Sequence, residues 1–250
     1  MEIHFVDASA IHGRTLYVEG SEARHIVKVL RHNVGDSLTF TDGSGSFLEA
    51  TIDRCDASAV HAEIGMIRPD PREAGAPWST LGLALLKGAH FEMAIEKAVE
   101  LGVHRIAPLL ADHCVVRLKE RSAAKKLERW QRIADSAMKQ SGRSWRCELL
   151  PPLPVEEAVR QYGGGAALIV ADEAETGTET GTGTGGQGPG LQPGQPHFGL
   201  VGPEGAFSER EKQWLQEQGA RAVSLGPFRL RAETAAIVLA AVLNQGRKHG

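Results

Sequence analysis

From residue 197 onward the chain runs through one pattern twice, and that repetition leaves little freedom in the fold. Residues 198–201 are an apolar run of strand length, Gly202-Pro203-Glu204-Gly205 is a tight turn, and Ser208 opens a helix. Ser208 and Glu211 have the spacing of a capping box, in which hydroxyl and carboxylate each satisfy a backbone N–H of the first turn. Gly219 is placed to end that helix. Residues 222–225 then form a second strand, 226–230 a turn, and 235–243, nine apolar residues without a break, a second helix. Consecutive strand–loop–helix units require a mainly parallel sheet, with both loops at the carboxyl ends of strands, where open α/β sheets bind ligands.

The preceding half has the same texture back to about residue 78. Residues 80–88 and 105–110 are strands around a helix at 90–102 that ends at Gly102; a long basic helix fills 119–141, and 166–172 is another strand. Before residue 68 the pattern changes to short strands at 15–20, 37–43, 46–55 and 59–67, which suggests a small β-barrel. A helix over 21–32 interrupts them, with Ser21 as its N-cap and Arg24, Lys28 and Arg31 on its polar face. The proline-rich segment 68–77 reads as a linker, giving a first domain at 1–70 and a second at 71–250. Residues 175–196 hold eight Gly, five Thr, three Pro and one large apolar residue, so they are expected to be a flexible inserted loop.

Composition narrows the function. The three cysteines are unpaired in spacing, and the ten histidines form no HxxxH or HExxH, so a metal or disulfide framework is not expected. The N-terminal residues carry no export pattern and no apolar run approaches bilayer length, which fits a cytoplasmic protein without membrane attachment. There is no GxxxxGK[ST] and no GxGxxG, arguing against nucleotide triphosphate or dinucleotide use. The formal charge of −3 hides a basic window: residues 117–146 hold ten Lys/Arg and three Asp/Glu, a net +7. A solvated face is the ordinary meaning of such a window, and a polyanion is the other.

GPEGAF followed one β-unit later by LGPFRLRAETAA resembles the signature of the RsmE-type 16S ribosomal RNA uridine-N3 methyltransferases of the SPOUT superfamily. HIVKVLR (25–31), KGAHFEMAIEKAVELGV (87–103) and KQSGR (139–143) match in the family's order, so the resemblance spans nearly the whole chain outside 175–196. It implies a PUA-like β-barrel followed by a trefoil-knotted, parallel-sheet SPOUT domain of α/β class, a homodimer, S-adenosylmethionine as cofactor, and 16S rRNA of the small ribosomal subunit as partner. The chain departs from the family twice. Ala206 stands where relatives usually have the second glycine of GPEGG, and Phe228-Arg229 where they usually read Arg-[Ile/Val].

Carried onto this chain, the resemblance implies cofactor contacts from Leu200, Gly202, Pro203, Glu204, Gly205, Leu225, Gly226, Leu230 and Thr234. RNA would meet Arg24, His25, Lys28, Arg31 and Arg143. Uridine N3 carries a proton, so methylation needs its removal and stabilisation of the charge left on the ring. Arg231 cannot be a base but can supply fixed N–H donors beside a helix N-terminus. Glu233 is a base, an orienter of Arg231, or a first-turn carboxylate complementing the helix dipole. A SPOUT enzyme for another RNA position and a non-catalytic RNA-binding ribosome-assembly protein fit the same residues.

Overall fold

A computed structural model describes residues 2–75, 77–118, 120–172 and 194–244. Most of the expected inserted loop 175–196 lies outside them. The chain divides into two compact units, one of residues 1–74 with 138–146, the other of residues 75–137 with 147–249.

In the first unit β1 (Ile3–Phe5), β2 (Ile11–His12), β3 (Thr15–Glu19), β4 (Ser37–Thr41), β5 (Ser46–Cys55) and β6 (Ala59–Pro69) form one six-stranded sheet. Its order is β1-β4-β5-β6-β3-β2, with only β1–β4 parallel. The short β1, too brief to show a period, is an element the sequence conceals. The helix expected at 21–32 is shorter. Gly20, at φ +72°, turns the chain out of β3, so α1 (Gly20–Arg24) starts one residue early and Ser21 is inside the helix, not its N-cap. The helix then widens into a π-turn over His25–Val29 and closes with His32 N–H on Ile26 C=O at 3.1 Å and Arg31 at φ +63°. Ala23 and Ile26 from this helix join Leu16, Phe40, Leu48 and Ile52 from the strands in one apolar core.

The proline-rich segment is tied down, not slack. Asp70, 1% exposed, accepts hydrogen bonds from Arg72 (2.7 Å) and Ser144 (2.9 Å). Glu73 accepts one from Arg143 at 2.8 Å. The return segment 138–146 therefore belongs to the first unit through buried ion pairs, a long-range tie that no local pattern announces.

The second unit contains β7 (Ser79–Ala84), α2 (His90–Glu100), β8 (Arg105–Leu110), most of α3 (Glu120–Ser141), β9 (Glu148–Leu149), β10 (Leu153–Pro154), α4 (Val155–Tyr162), β11 (Ala167–Ala171), β12 (His197–Val201), α5 (Glu209–Glu217), β13 (Arg221–Val223) and α6 (Ala232–Asn244). The sheet is entirely parallel, in the order β10-β8-β7-β12-β11-β13 with β9 beside β8. Every residue of the central strands β7 and β12 is buried, as parallel strands covered on both faces require. Helix α6 packs directly on β12. A Cβ at Gly199 would lie 2.8 Å from Leu239 and Leu243, so only glycine lets the helix approach this closely. Ala236, Leu239, Ala240 and Leu243 make the buried stripe, leaving Ala235, Ile237, Val238, Ala241 and Val242 half-buried. No helix among the described residues is long and apolar enough to cross a membrane.

Candidate active site

The strands β12, β11 and β13 end level: Val201 pairs with Ala171, and Ala171 with Val223. The loops after β12 and β13 therefore leave the same edge of the sheet. Their strands are not neighbours, however, because β11 lies between them; a sequence-local pattern cannot show which strand is inserted where.

After β12, Ala206 N–H closes a turn on Pro203 C=O at 2.8 Å. Ala206 takes φ +59°, a left-handed conformation suited to the glycine that relatives carry there. A Cβ on Gly202 would stand 2.9 Å from the amide nitrogen of Phe207, so the turn folds onto its own backbone. The capping box forms as the sequence indicates: Ser208 N–H donates to Glu211 Oε2 at 2.8 Å, and Glu211 N–H to Ser208 Oγ at 3.3 Å. Glu211 does more than cap. Only 1% exposed, it also accepts from Asp112 N–H at 3.0 Å, which fastens this loop to the one after β8. His113 adds a second fastening, its Nδ1 lying 3.0 Å from Gly205 C=O and 3.2 Å from Ala206 C=O. Carbonyls only accept, so Nδ1 carries the proton. Asp112 also accepts from Ser208 Oγ (2.6 Å) and Arg210 (3.1 Å), and these two partners hold its carboxyl below the ordinary range. Beside it, burial pushes the Cys114 thiol up, so it stays protonated and unreactive.

After β13, Ser224 Oγ donates to Gly226 C=O at 3.0 Å, and Ala235 N–H on Arg231 C=O at 2.8 Å starts α6. Among the described residues nothing lies within 4 Å of where a Cβ on Gly226 would stand, which leaves free space beside its Cα. Phe228 is 81% exposed, with Arg229 and Arg231 exposed next to it. The Arg231 side chain makes no hydrogen bond or ion pair among the described residues. Glu233 turns the other way. Only 7% exposed, it places Oε1 3.1 Å from Nδ1 of His90, the first residue of α2.

The residues expected to hold cofactor divide by depth. Leu200, Gly202 and Pro203 are buried, Leu225, Gly226 and Leu230 half-buried, and Glu204, Gly205 and Thr234 exposed. Of those expected to meet RNA, Arg24, His25, Lys28 and Arg31 are exposed in the first unit, with His25 3.4 Å from Glu2. Arg143 is different. Its side chain is 6% exposed and paired with Glu73, itself 4% exposed, so its guanidinium serves the buried tie and is not presented to a ligand. The basic window is partly neutralised as well: Arg129 pairs with Glu92, Lys139 with Glu22, and Arg143 with Glu73. Sequence reasoning passed over Asp112, His113 and His90. The first two sit in a loop without periodicity, and His90 was visible only as one residue of a helix. No group of three His, Cys, Asp or Glu among the described residues is placed to hold a metal ion.

The family model described as an RNA methyltransferase domain matches residues 74–244, and that of an RNA methyltransferase PUA domain matches 18–64. The chain is 29% identical to the ribosomal RNA small subunit methyltransferase E of Bacillus subtilis over 88% of this chain and 86% of the relative. It is 30% identical to that of Synechocystis over 92% of this chain and 73% of the relative. The chain belongs to the ribosomal RNA small subunit methyltransferase E family. Among solved members, the enzyme of Neisseria gonorrhoeae bound to S-adenosyl methionine superimposes with a TM-score of 0.81 at 30% identity, covering 97% of this chain and 96% of the other. Within the family, the PUA match falls in the first compact unit, and the methyltransferase match takes in the second together with the return segment 138–146.

Proposed function

We propose that this protein transfers a methyl group from S-adenosylmethionine to N3 of a uridine in 16S rRNA of the small ribosomal subunit, as a cytoplasmic homodimer. The observation that carries the reading is Arg231. It is an exposed guanidinium with no partner among the described residues, at the N-terminus of α6, directly after a loop with free space beside the Cα of Gly226. The residues fit the cofactor. Leu225, Gly226 and Leu230 offer backbone groups for adenine, and Leu200, Gly202 and Pro203 supply a firm wall, fixed through Glu211 and His113. Glu204, Gly205 and Thr234 stand at the exposed rim. S-adenosylmethionine, when bound, supplies a methyl group on a positively charged sulfur.

The protein's own task is to prepare the nucleophile. Loss of the N3 proton leaves negative charge on the uracil oxygens, and Arg231 donates N–H groups to it with the α6 dipole in support. Phe228 offers an exposed π-face beside Arg229 and Arg231, suited to stacking a base. On the first unit Arg24, Lys28 and Arg31 are exposed cations suited to phosphates, so RNA affinity falls steeply with salt. The half-buried apolar face of α6 suits a second copy of the chain. Passage of the chain through a trefoil knot, implied by the resemblance, belongs to this proposal too.

Arg231→Ala retains S-adenosylmethionine binding by calorimetry and loses most methyl transfer. Turnover at the parent rate would remove Arg231 from the mechanism, and absence of any heat with the parent protein would remove the cofactor.

A further inference from the structure

Arg231 stabilises charge but accepts no proton, so the uridine N3–H still needs a base. Glu233, two residues on, is unsuited to direct contact: it is 7% exposed, and its Oε1 is engaged with His90 Nδ1 at 3.1 Å. The same contact equips the histidine. The carboxylate against Nδ1 favours the neutral tautomer protonated there, which leaves the lone pair on Nε2. His90 is 47% exposed at its side chain and has no second partner among the described residues. It opens α2 at the carboxyl edge of β7, the strand beside β12.

We propose that His90 is the general base of the reaction and Glu233 its positioning residue, an inference that rests on the methyl-transfer reading above. The N3–H bond breaks and its proton passes to His90 Nε2. The electron pair left on N3 forms the new N–CH₃ bond as the carbon–sulfur bond of the sulfonium donor breaks, its electrons staying on a now neutral sulfide. The imidazolium, stabilised by Glu233, later releases its proton to water. The division of labour is that of other carboxylate-oriented histidines, in which the buried acid fixes tautomer and ring direction without being protonated. Close to His90 in the chain, the other charged residues are Lys87 in the preceding loop and Glu92, which pairs with Arg129, while Arg231 precedes Glu233 by two residues.

The test compares parent, His90→Gln, His90→Ala and Glu233→Gln in single-turnover methylation across pH, with calorimetry for S-adenosylmethionine and titration of RNA. The parent rate falls toward acid pH, as a base that must be unprotonated requires. His90→Gln keeps both affinities within about threefold, loses roughly 10²–10⁴-fold in rate and loses that acid limb. Added imidazole restores part of the rate to His90→Ala but adds nothing to the parent. A readout independent of activity is ¹⁵N NMR of the imidazole without cofactor. The neutral ring is the Nδ1–H tautomer in the parent and shifts toward Nε2–H in Glu233→Gln. A His90→Gln variant with the parent's rate and pH profile overturns the inference, as does an Nε2–H tautomer in the parent. Loss of activity accompanied by loss of cofactor or RNA affinity also overturns it, since His90 would then be structural. A parent that binds no S-adenosylmethionine sinks the methyl-transfer reading itself, which is a different failure.

Discussion

Replacing Glu211 by Gln tests whether the loop after β12 is held as described. The carboxylate is 1% exposed and accepts two backbone hydrogen bonds, from Ser208 at 2.8 Å and Asp112 at 3.0 Å. Glutamine has nearly the same shape, but one oxygen becomes an NH₂ group. Whichever way the amide is turned, a donor faces one of the two backbone donors. A hydrogen bond to a charged group contributes about 1.5–3 kcal/mol, and a neutral one about 1 kcal/mol. One bond is thus weakened by about 1 kcal/mol and the other lost with an unsatisfied N–H, a total of roughly 2–4 kcal/mol. For a chain of this size that lowers Tm by roughly 5–12 °C. Circular dichroism melting of Glu211→Gln beside Glu209→Gln provides the comparison. Glu209 is in the same turn with a side chain 93% exposed, and its change should stay within about 0.5 kcal/mol. Binding of S-adenosylmethionine should weaken in Glu211→Gln, because the 202–207 wall loses its attachment to the loop after β8. Equal melting of the two variants would refute the assigned role of Glu211.

Two further outcomes follow from single residues. His197 is 3% exposed, and burial pushes its imidazole below the ordinary value. The folded state thus prefers it neutral, and the unfolded chain takes up the proton first, so stability holds above about pH 6.5 and declines below it until the folded-state value is passed. His197→Leu should flatten that decline in denaturant titrations from pH 8 to 5, and an unchanged slope would acquit His197. Phe228→Ala should weaken RNA binding by the roughly 1–3 kcal/mol of one base stack, with Phe228→Trp near parent affinity and S-adenosylmethionine binding unaltered; equal RNA affinity in all three proteins would exclude stacking.

The parallel sheet was readable because each strand–loop–helix unit carries its own local signals, down to the Ser208–Glu211 box, which forms with both hydrogen bonds. What local signals cannot carry is the order of strands. β12 lies between β11 and β7, a strand more than 100 residues earlier in the chain, and α6 packs over Gly199 with Leu239 and Leu243, 40 and 44 residues further on. The same holds for segment 138–146. Arg143 reads as an exposed cation in a basic window, and its burial becomes visible only with Glu73, 70 residues earlier, in place. At the candidate site, Arg231 stood out because a charge beside an apolar run demands a reason. His90 did not, since a histidine opening a helix is unremarked until Glu233 is seen against it. Ala206 was the reverse: the resemblance leads one to expect glycine there, and the φ of +59° is a conformation that favours glycine.

The central claim is methylation of uridine N3 in small-subunit rRNA. It is tested most directly by incubating the protein and labelled S-adenosylmethionine with small ribosomal subunits from a strain lacking the modification, then mapping the labelled nucleotide. The account predicts one labelled uridine, methylated at N3, and no label with Arg231→Ala. Label at another base or another atom would contradict the assigned chemistry, and no label with the parent protein would contradict the activity itself.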